Sequence, residues 1–143
     1  ISTLVIRNLF GTLSDKRIAI YGFSFKANTN DTRESPSIKI SKDLLQEGAK
    51  LNFYDPKVKR KQIFMELDSS IKDDNVIISD TGINAAKGAD AVIVLTEWDV
   101  FNKLNWRNIY KVMRKPAWVF DSRVLLNKNA LIDIGFKVWA IGN

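Results

Sequence analysis

The chain has 143 residues, 45% apolar and 27% charged, which suits one soluble globular domain with a core of its own. It contains no cysteine and no histidine. These two zeros exclude disulfides, thiolate nucleophiles, cysteine-held metal centres, imidazole bases and the common zinc enzymes. Lysine and arginine outnumber the acids by 22 to 16, so the net charge of +6 favours anionic partners without choosing among phosphates, nucleic acid and acidic lipid.

At the amino end, Ile1, Leu4, Val5 and Leu9 recur at helical spacing before Gly11. This reads as a short helix, apolar on one side, that packs on something outside the chain; the alternative is a further core helix of the same domain. A chain that opens on Ile1 instead of Met leads to the expectation of a piece of a longer protein. Apolar runs then follow at Arg17–Gly22, Lys50–Tyr54, Asn75–Ser79, Asp90–Thr96, Ala117–Asp121 and Lys137–Gly142. Several are apolar at consecutive positions, the pattern of strands covered on both faces. Helical spacing fills gaps between them: Ile38, Ser41, Leu44 and Leu45; Ile63, Leu67 and Ile71; Trp106, Ile109, Tyr110 and Met113. Ser35 before Pro36 signals a helix start, and Gly48 sits where a left-handed helix end is wanted. Asp55-Pro56 signals a turn at the end of a strand. The alternation predicts an α/β fold: a three-layer, Rossmann-like domain with a mainly parallel sheet of about six strands, preceded by the end of an inter-domain helix. The boundary is placed after residue 11, so that 1–11 close that helix and 12–143 form the domain.

The most informative stretch links the first strand to the helix that Ser35 starts. Fourteen residues run from Gly22 to Ser35, where such loops usually span about 2–6. The loop is polar, carries Lys26, Asp31, Arg33 and Glu34, and lies at the carboxyl ends of the strands, where open α/β sheets bind ligands. Lys26 and Arg33 offer cationic donors beside a helix start, so a phosphate or pyrophosphate is the expected guest. A dinucleotide fingerprint is nevertheless missing. Gly22 is followed by Phe23, Ser24, Phe25, Lys26 and Ala27 where G-x-G-x-x-G needs two more glycines, and the next plausible acid, Asp55, lies thirty-three positions on.

The run Gly22-Phe23-Ser24-Phe25-Lys26-Ala27-Asn28-Thr29-Asn30-Asp31-Thr32-Arg33-Glu34-Ser35-Pro36-Ser37 resembles a signature of the UDP-glucose/GDP-mannose dehydrogenase family, in its carboxy-terminal, nucleotide-sugar-binding domain. Tyr54-Asp55-Pro56, Thr96-Glu97-Trp98 and Asp121-Ser122-Arg123 fall in order where that domain has similar blocks, so the resemblance covers about Lys16 to Gly142. Thr96-Glu97-Trp98-Asp99 and Tyr54-Asp55-Pro56-Lys57-Val58 are most similar to the members acting on UDP-glucose. The alternatives are the GDP-mannose and UDP-acetamidosugar members.

The resemblance implies oxidation of the C6 alcohol of UDP-glucose to a carboxylate by NAD, through intermediates on a cysteine. That cysteine and the NAD site belong to other regions of the family, so this chain is expected to bind and not to turn over. Carried onto matching positions, Phe25, Lys26 and Arg123 are implied substrate contacts, and Arg33 reaches the NAD held by another domain. No catalytic residue and no metal ligand is assigned. Asp31 and Glu34 are read as bracing the loop. The implied partners are UDP-glucose, the remaining domains of the same enzyme and further copies in a homo-oligomer.

Nucleic acid and membrane are not expected. Lys57, Lys59, Arg60 and Lys61 read as the solvated start of a helix in preference to a nucleic-acid patch, and no apolar run is long enough to span a bilayer. A basic nucleic-acid-binding module and a self-associating interaction module remain as rival readings, and the expected location is cytoplasmic. Trp98 is assigned to packing, and Glu97 is left out of the site with it. Trp106, Trp118 and Trp139 are assigned to cores.

Overall fold

A computed structural model describes residues 2–8, 12–24, 28–32, 35–67 and 74–140. The strands are β1 (Arg17–Tyr21), β2 (Lys50–Tyr54), β3 (Val76–Ile78), β4 (Ala91–Val94), β5 (Trp118–Asp121) and β6 (Lys137–Ala140). All five pairings are parallel, in the order β3-β2-β1-β4-β5-β6. Each strand lies within its expected run, and the expected sixth run continues beyond the described residues at 141. The sheet is wholly parallel. Every residue of β4 is buried, as its unbroken apolar run demands.

The helices are α1 (Ser2–Asn8), α2 (Pro36–Gln46), α3 (Arg60–Glu66), α4 (Gly82–Ala86), α5 (Trp106–Val112) and α6 (Lys128–Ile134), with a 3-10 turn at Asp99–Lys103. On one face, Leu44 of α2 and Ile63 and Phe64 of α3 close over Ile18, Ile20, Leu51 and Phe53. On the other, Ala85 of α4, Trp106 and Ile109 of α5 and Leu131 of α6 close over Ala19, Tyr21, Val92 and Val119. The alternation of these strand residues between two clusters is the period-two geometry of a strand with both faces covered. Expected apolar positions Ile63, Leu67, Trp106, Ile109 and Met113 are buried, while Ile71 lies outside the described residues.

Val5 of α1 is fully enclosed in the cluster under α2, with Leu4 packed against it. Part of the helix's apolar side is therefore satisfied within this chain and not by something outside it. Leu9 and Gly11 lie outside the described residues.

Capping agrees with the sequence. The Ser35 hydroxyl accepts from Ser37 N–H at 3.3 Å with Pro36 at the first helical position, a cap worth about 1 kcal/mol. Gly48 closes the turn after α2 with φ of 95°. Thr81, Asn105 and Asn127 cap α4, α5 and α6 in the same way.

β1 pairs with β2 on one side and β4 on the other, and the helices change faces between those two directions. The carboxyl ends of β1 and β4 therefore form the topological switch point of this sheet.

Candidate nucleotide-binding site

At that switch point the two strand ends approach closely. Gly22 has φ of 99°, and a Cβ there would lie 2.5 Å from both Cβ and Oγ1 of Thr96. The bare Gly22 backbone lets the loop after β1 pass beside the loop after β4. Thr96, fully buried, donates its hydroxyl to the Ser24 carbonyl at 2.9 Å.

Three further side chains hold the same turn. Ser35 Oγ lies 3.0 Å from the Phe23 carbonyl, to which it donates, and Ser37 Oγ donates to the Gly22 carbonyl at 3.2 Å. Asp55, at the end of β2, accepts from four backbone N–H groups. Its Oδ2 takes Phe23 (2.7 Å) and Ser24 (3.2 Å), and its Oδ1 takes Lys57 (2.8 Å) and Val58 (2.9 Å). The turn read from Asp55-Pro56 is present, and the same carboxylate also ties the loop after β1 to the end of β2.

The far side of the loop is docked on α3. Gln62 donates to the Asn30 carbonyl and to Thr32 Oγ1, both at 3.0 Å, and the Thr32 hydroxyl donates to Glu66 at 3.1 Å. Both flanks of the predicted substrate segment are thus anchored. Phe25, Lys26, Arg33 and Glu34 themselves lie outside the described residues.

Arg123, the remaining predicted contact, is described. Asp121, buried at the end of β5, accepts from Arg123 N–H (3.1 Å) and Leu126 N–H (2.7 Å) through separate oxygens. Val124 follows with φ of 54° although it is β-branched and half exposed, so the turn that presents Arg123 carries backbone strain. Asparagine tolerates this conformation, so Val124→Asn is expected to raise stability by about 1 kcal/mol in chemical unfolding; an unchanged or lowered midpoint refutes the assignment of strain.

Arg123 pairs with Glu97 at 2.9 Å. The pair is partly exposed and contributes little to stability. Its effect is positional, because one Nη atom is fixed toward β4 while the rest of the planar fork has no partner among the described residues. Glu97, which the sequence reading leaves out of the site, is the ion-pair partner of Arg123. A continuous path now runs from Ser24 through Thr96 and Glu97 to Arg123, at one end of the sheet.

Tyr54 borders the same end. Burial, and then the Asp55 carboxylate beside it, raise its phenol above the ordinary tyrosine value. Tyr54 also lines an open hollow of about 660 Å³ with Lys57, Lys59, Arg60 and Asp80 at the ends of β2 and β3. These lysines and Arg60 are solvent-exposed, as expected. Trp98 is buried in the core beneath α5, so its assignment to packing holds. Tyr21, buried deeper, donates its hydroxyl to the Gly82 carbonyl at 2.6 Å and is pushed well above the usual phenol range, chiefly by burial.

The turn after β1 does not fit a dinucleotide pyrophosphate. The Phe23 and Ser24 N–H groups that such a turn would offer are already given to Asp55. No helix among the described residues is long and apolar enough to cross a membrane, and no cluster of acids among them could hold a metal ion.

The chain is 46% identical over 142 residues to UDP-glucose 6-dehydrogenase of Caenorhabditis elegans, covering 96% of this chain and 30% of that protein. It is 49% identical over 146 residues to the enzyme of the same name from Bos taurus, again over 96% and 30%. Among solved structures, the UDP-D-ManNAc dehydrogenase of Pyrococcus horikoshii superposes with a TM-score of 0.74 at 25% identity, over 97% of this chain and 28% of that one. The NDP-N-acetyl-D-galactosaminuronic acid dehydrogenase of Methanosarcina mazei gives 0.79 at 24% identity, over 99% and 28%, and supports the fold. The chain therefore spans about 30% of the length of the curated relatives it matches. With residues 19–128 matching its UDP binding domain, the chain belongs to the UDP-glucose/GDP-mannose dehydrogenase family.

Proposed function

We propose that this chain grips the UDP end of UDP-glucose on behalf of a UDP-glucose 6-dehydrogenase, the enzyme its curated relatives are named for. The observation that carries this reading is the convergence at the switch point: the anchored flanks of the Lys26 loop and the forked guanidinium of Arg123 meet through Thr96 and Glu97. Lys26 supplies a point charge for the diphosphate, Phe25 a backbone and ring contact, and Arg123 a planar pair of donors for phosphate or hydroxyl oxygens.

When the whole enzyme is assembled, NAD supplies the oxidising power that turns the C6 alcohol into the carboxylate of UDP-glucuronate. NAD would be held by another domain, and Arg33 would supply this chain's contact to it. The chain has neither cysteine nor histidine, so its own part is binding and orientation. The complete protein works as a cytoplasmic homo-oligomer, without nucleic acid or membrane.

Calorimetry tests the reading. UDP and UDP-glucose should bind this chain weakly and NAD should give no heat. Arg123→Ala should weaken UDP by about tenfold to a hundredfold, since hydrogen bonds to charged groups are worth about 1.5–3 kcal/mol. Arg123→Lys should fall between, and Lys26→Ala should lose at least as much as Arg123→Ala. Silence at millimolar UDP from the folded chain, or equal heats for UDP and NAD, sinks the proposal.

A further inference from the structure

The same sheet has a second hollow, at the opposite end. The connection from β3 to β4 must cross both β2 and β1, yet its helix α4 has only five residues, about 7.5 Å of rise. The five-residue strands beneath are about 16 Å long. Among the described residues, the short helix leaves the amino-terminal part of this face uncovered, and Ile77 of the edge strand β3 is 52% exposed there. A cavity of about 190 Å³ results, with Leu51, Ile77, Ala85 and Ala89 among its walls.

Its polar lining is built for an anion. Among the described residues that line it, Arg17, Lys50 and Lys87 stand with a single carboxylate, Asp74. None of these four side chains forms a salt bridge among the described residues. Asp90, next to Arg17 in space, is committed elsewhere: its Oδ2 accepts Arg17 backbone N–H at 2.9 Å and pairs with Arg114 at 3.1 Å. The Arg17 head lies against Gly88, where a Cβ would sit 3.3 Å from Nη1 and where φ is 67°.

The rim is fixed. Gly88 N–H donates to Val112 (2.7 Å), Arg114 N–H to Ala89 (2.9 Å) and Arg114 Nε to the Gly88 carbonyl (3.1 Å). Asn52, on the floor, has its Oδ1 engaged by Ser79 Oγ at 2.7 Å, so its amide nitrogen remains as a donor.

We propose that this hollow binds a phosphate dianion, free or as the phosphoryl group of a small ester. Among the described lining residues, three cations against one acid leave an excess of two positive charges, which matches a dianion better than a monocarboxylate. The arginine fork and the Asn52 amide give directional donors beside the two lysine point charges. The site is separate from the switch-point site, since Arg17 and Gly22 stand at opposite ends of β1.

The test is an amide-detected NMR titration of this chain at constant ionic strength, with inorganic phosphate in one arm, glycerol phosphate in a second and acetate in a third. Shifts should saturate at Lys87, Gly88, Ala89 and the Asn52 side-chain amide with phosphate or the ester, and acetate should bind at least tenfold more weakly. Arg17→Ala combined with Lys50→Ala should weaken phosphate at least tenfold, whereas Arg123→Ala should leave it unchanged. The same spectra report whether each variant is folded. Saturation with the ester alone assigns an esterified ligand, and saturation with both assigns the phosphate group itself. Unsaturable shifts, equal response to acetate, or insensitivity to the double variant overturns the site.

Discussion

Gly22→Ala is expected to cost this domain about 2–5 kcal/mol, the sum of a left-handed backbone for alanine and an overpacked contact. The second part is the larger one here. The new Cβ would stand 2.5 Å from Thr96 Oγ1 and 2.7 Å from its backbone nitrogen, so no rotamer change at Thr96 removes the clash. The displaced Thr96 would also release the Ser24 carbonyl that it now holds at 2.9 Å. Gly48→Ala is the matched control. Its φ of 95° is nearly the same, but its nearest contact, Ser14 Cα at 3.4 Å, is ordinary. It should lose only the conformational part, about 1–2 kcal/mol. Chemical denaturation of both variants reads the difference directly, and UDP titration of Gly22→Ala should show binding lost with the loop. Equal losses in the two variants would rule out the close approach as the reason for a glycine at this place.

Strands were legible because burial on both faces writes consecutive apolar residues into the sequence, as in Ala91-Val92-Ile93-Val94. Helix α2 was legible from its ends, Ser35-Pro36 and Gly48. Helices α4 and α6 were not picked out. The five residues of α4, Gly-Ile-Asn-Ala-Ala, are too few to establish a period, and α6 buries only Leu131. The site divides in the same way. Lys26, Arg33 and Arg123 stand in runs whose residue types name their chemistry. Glu97 and Thr96 act on partners 26 and 72 positions away, and no periodicity in a single sequence carries such a pairing. Asp55 shows both limits at once: its bonds to Lys57 and Val58 follow from the local turn, whereas those to Phe23 and Ser24 depend on how β1 and β2 lie side by side.

That double role makes Asp55 the second position of large effect. Its two oxygens each serve one pair of N–H groups, so the carboxylate can satisfy both loops only while it has two acceptors. Asn keeps one. With its oxygen toward Lys57 and Val58, the Asn amide would point N–H at the N–H groups of Phe23 and Ser24, leaving donor against donor. Asp55→Asn is therefore expected to cost about 2–3 kcal/mol, and Asp55→Ala a similar amount with water admitted to the gap. The loss should be local before it is global. Amide exchange at Phe23 and Ser24 should quicken at least tenfold beyond the general loss of protection, while Gly22, whose N–H is held by the Tyr54 carbonyl, should follow the global change. UDP affinity should fall further than stability alone explains, because the segment carrying Lys26 begins one residue after Ser24. A variant in which all three amides exchange in step, with UDP affinity intact, would make Asp55 a turn residue of β2 and nothing more.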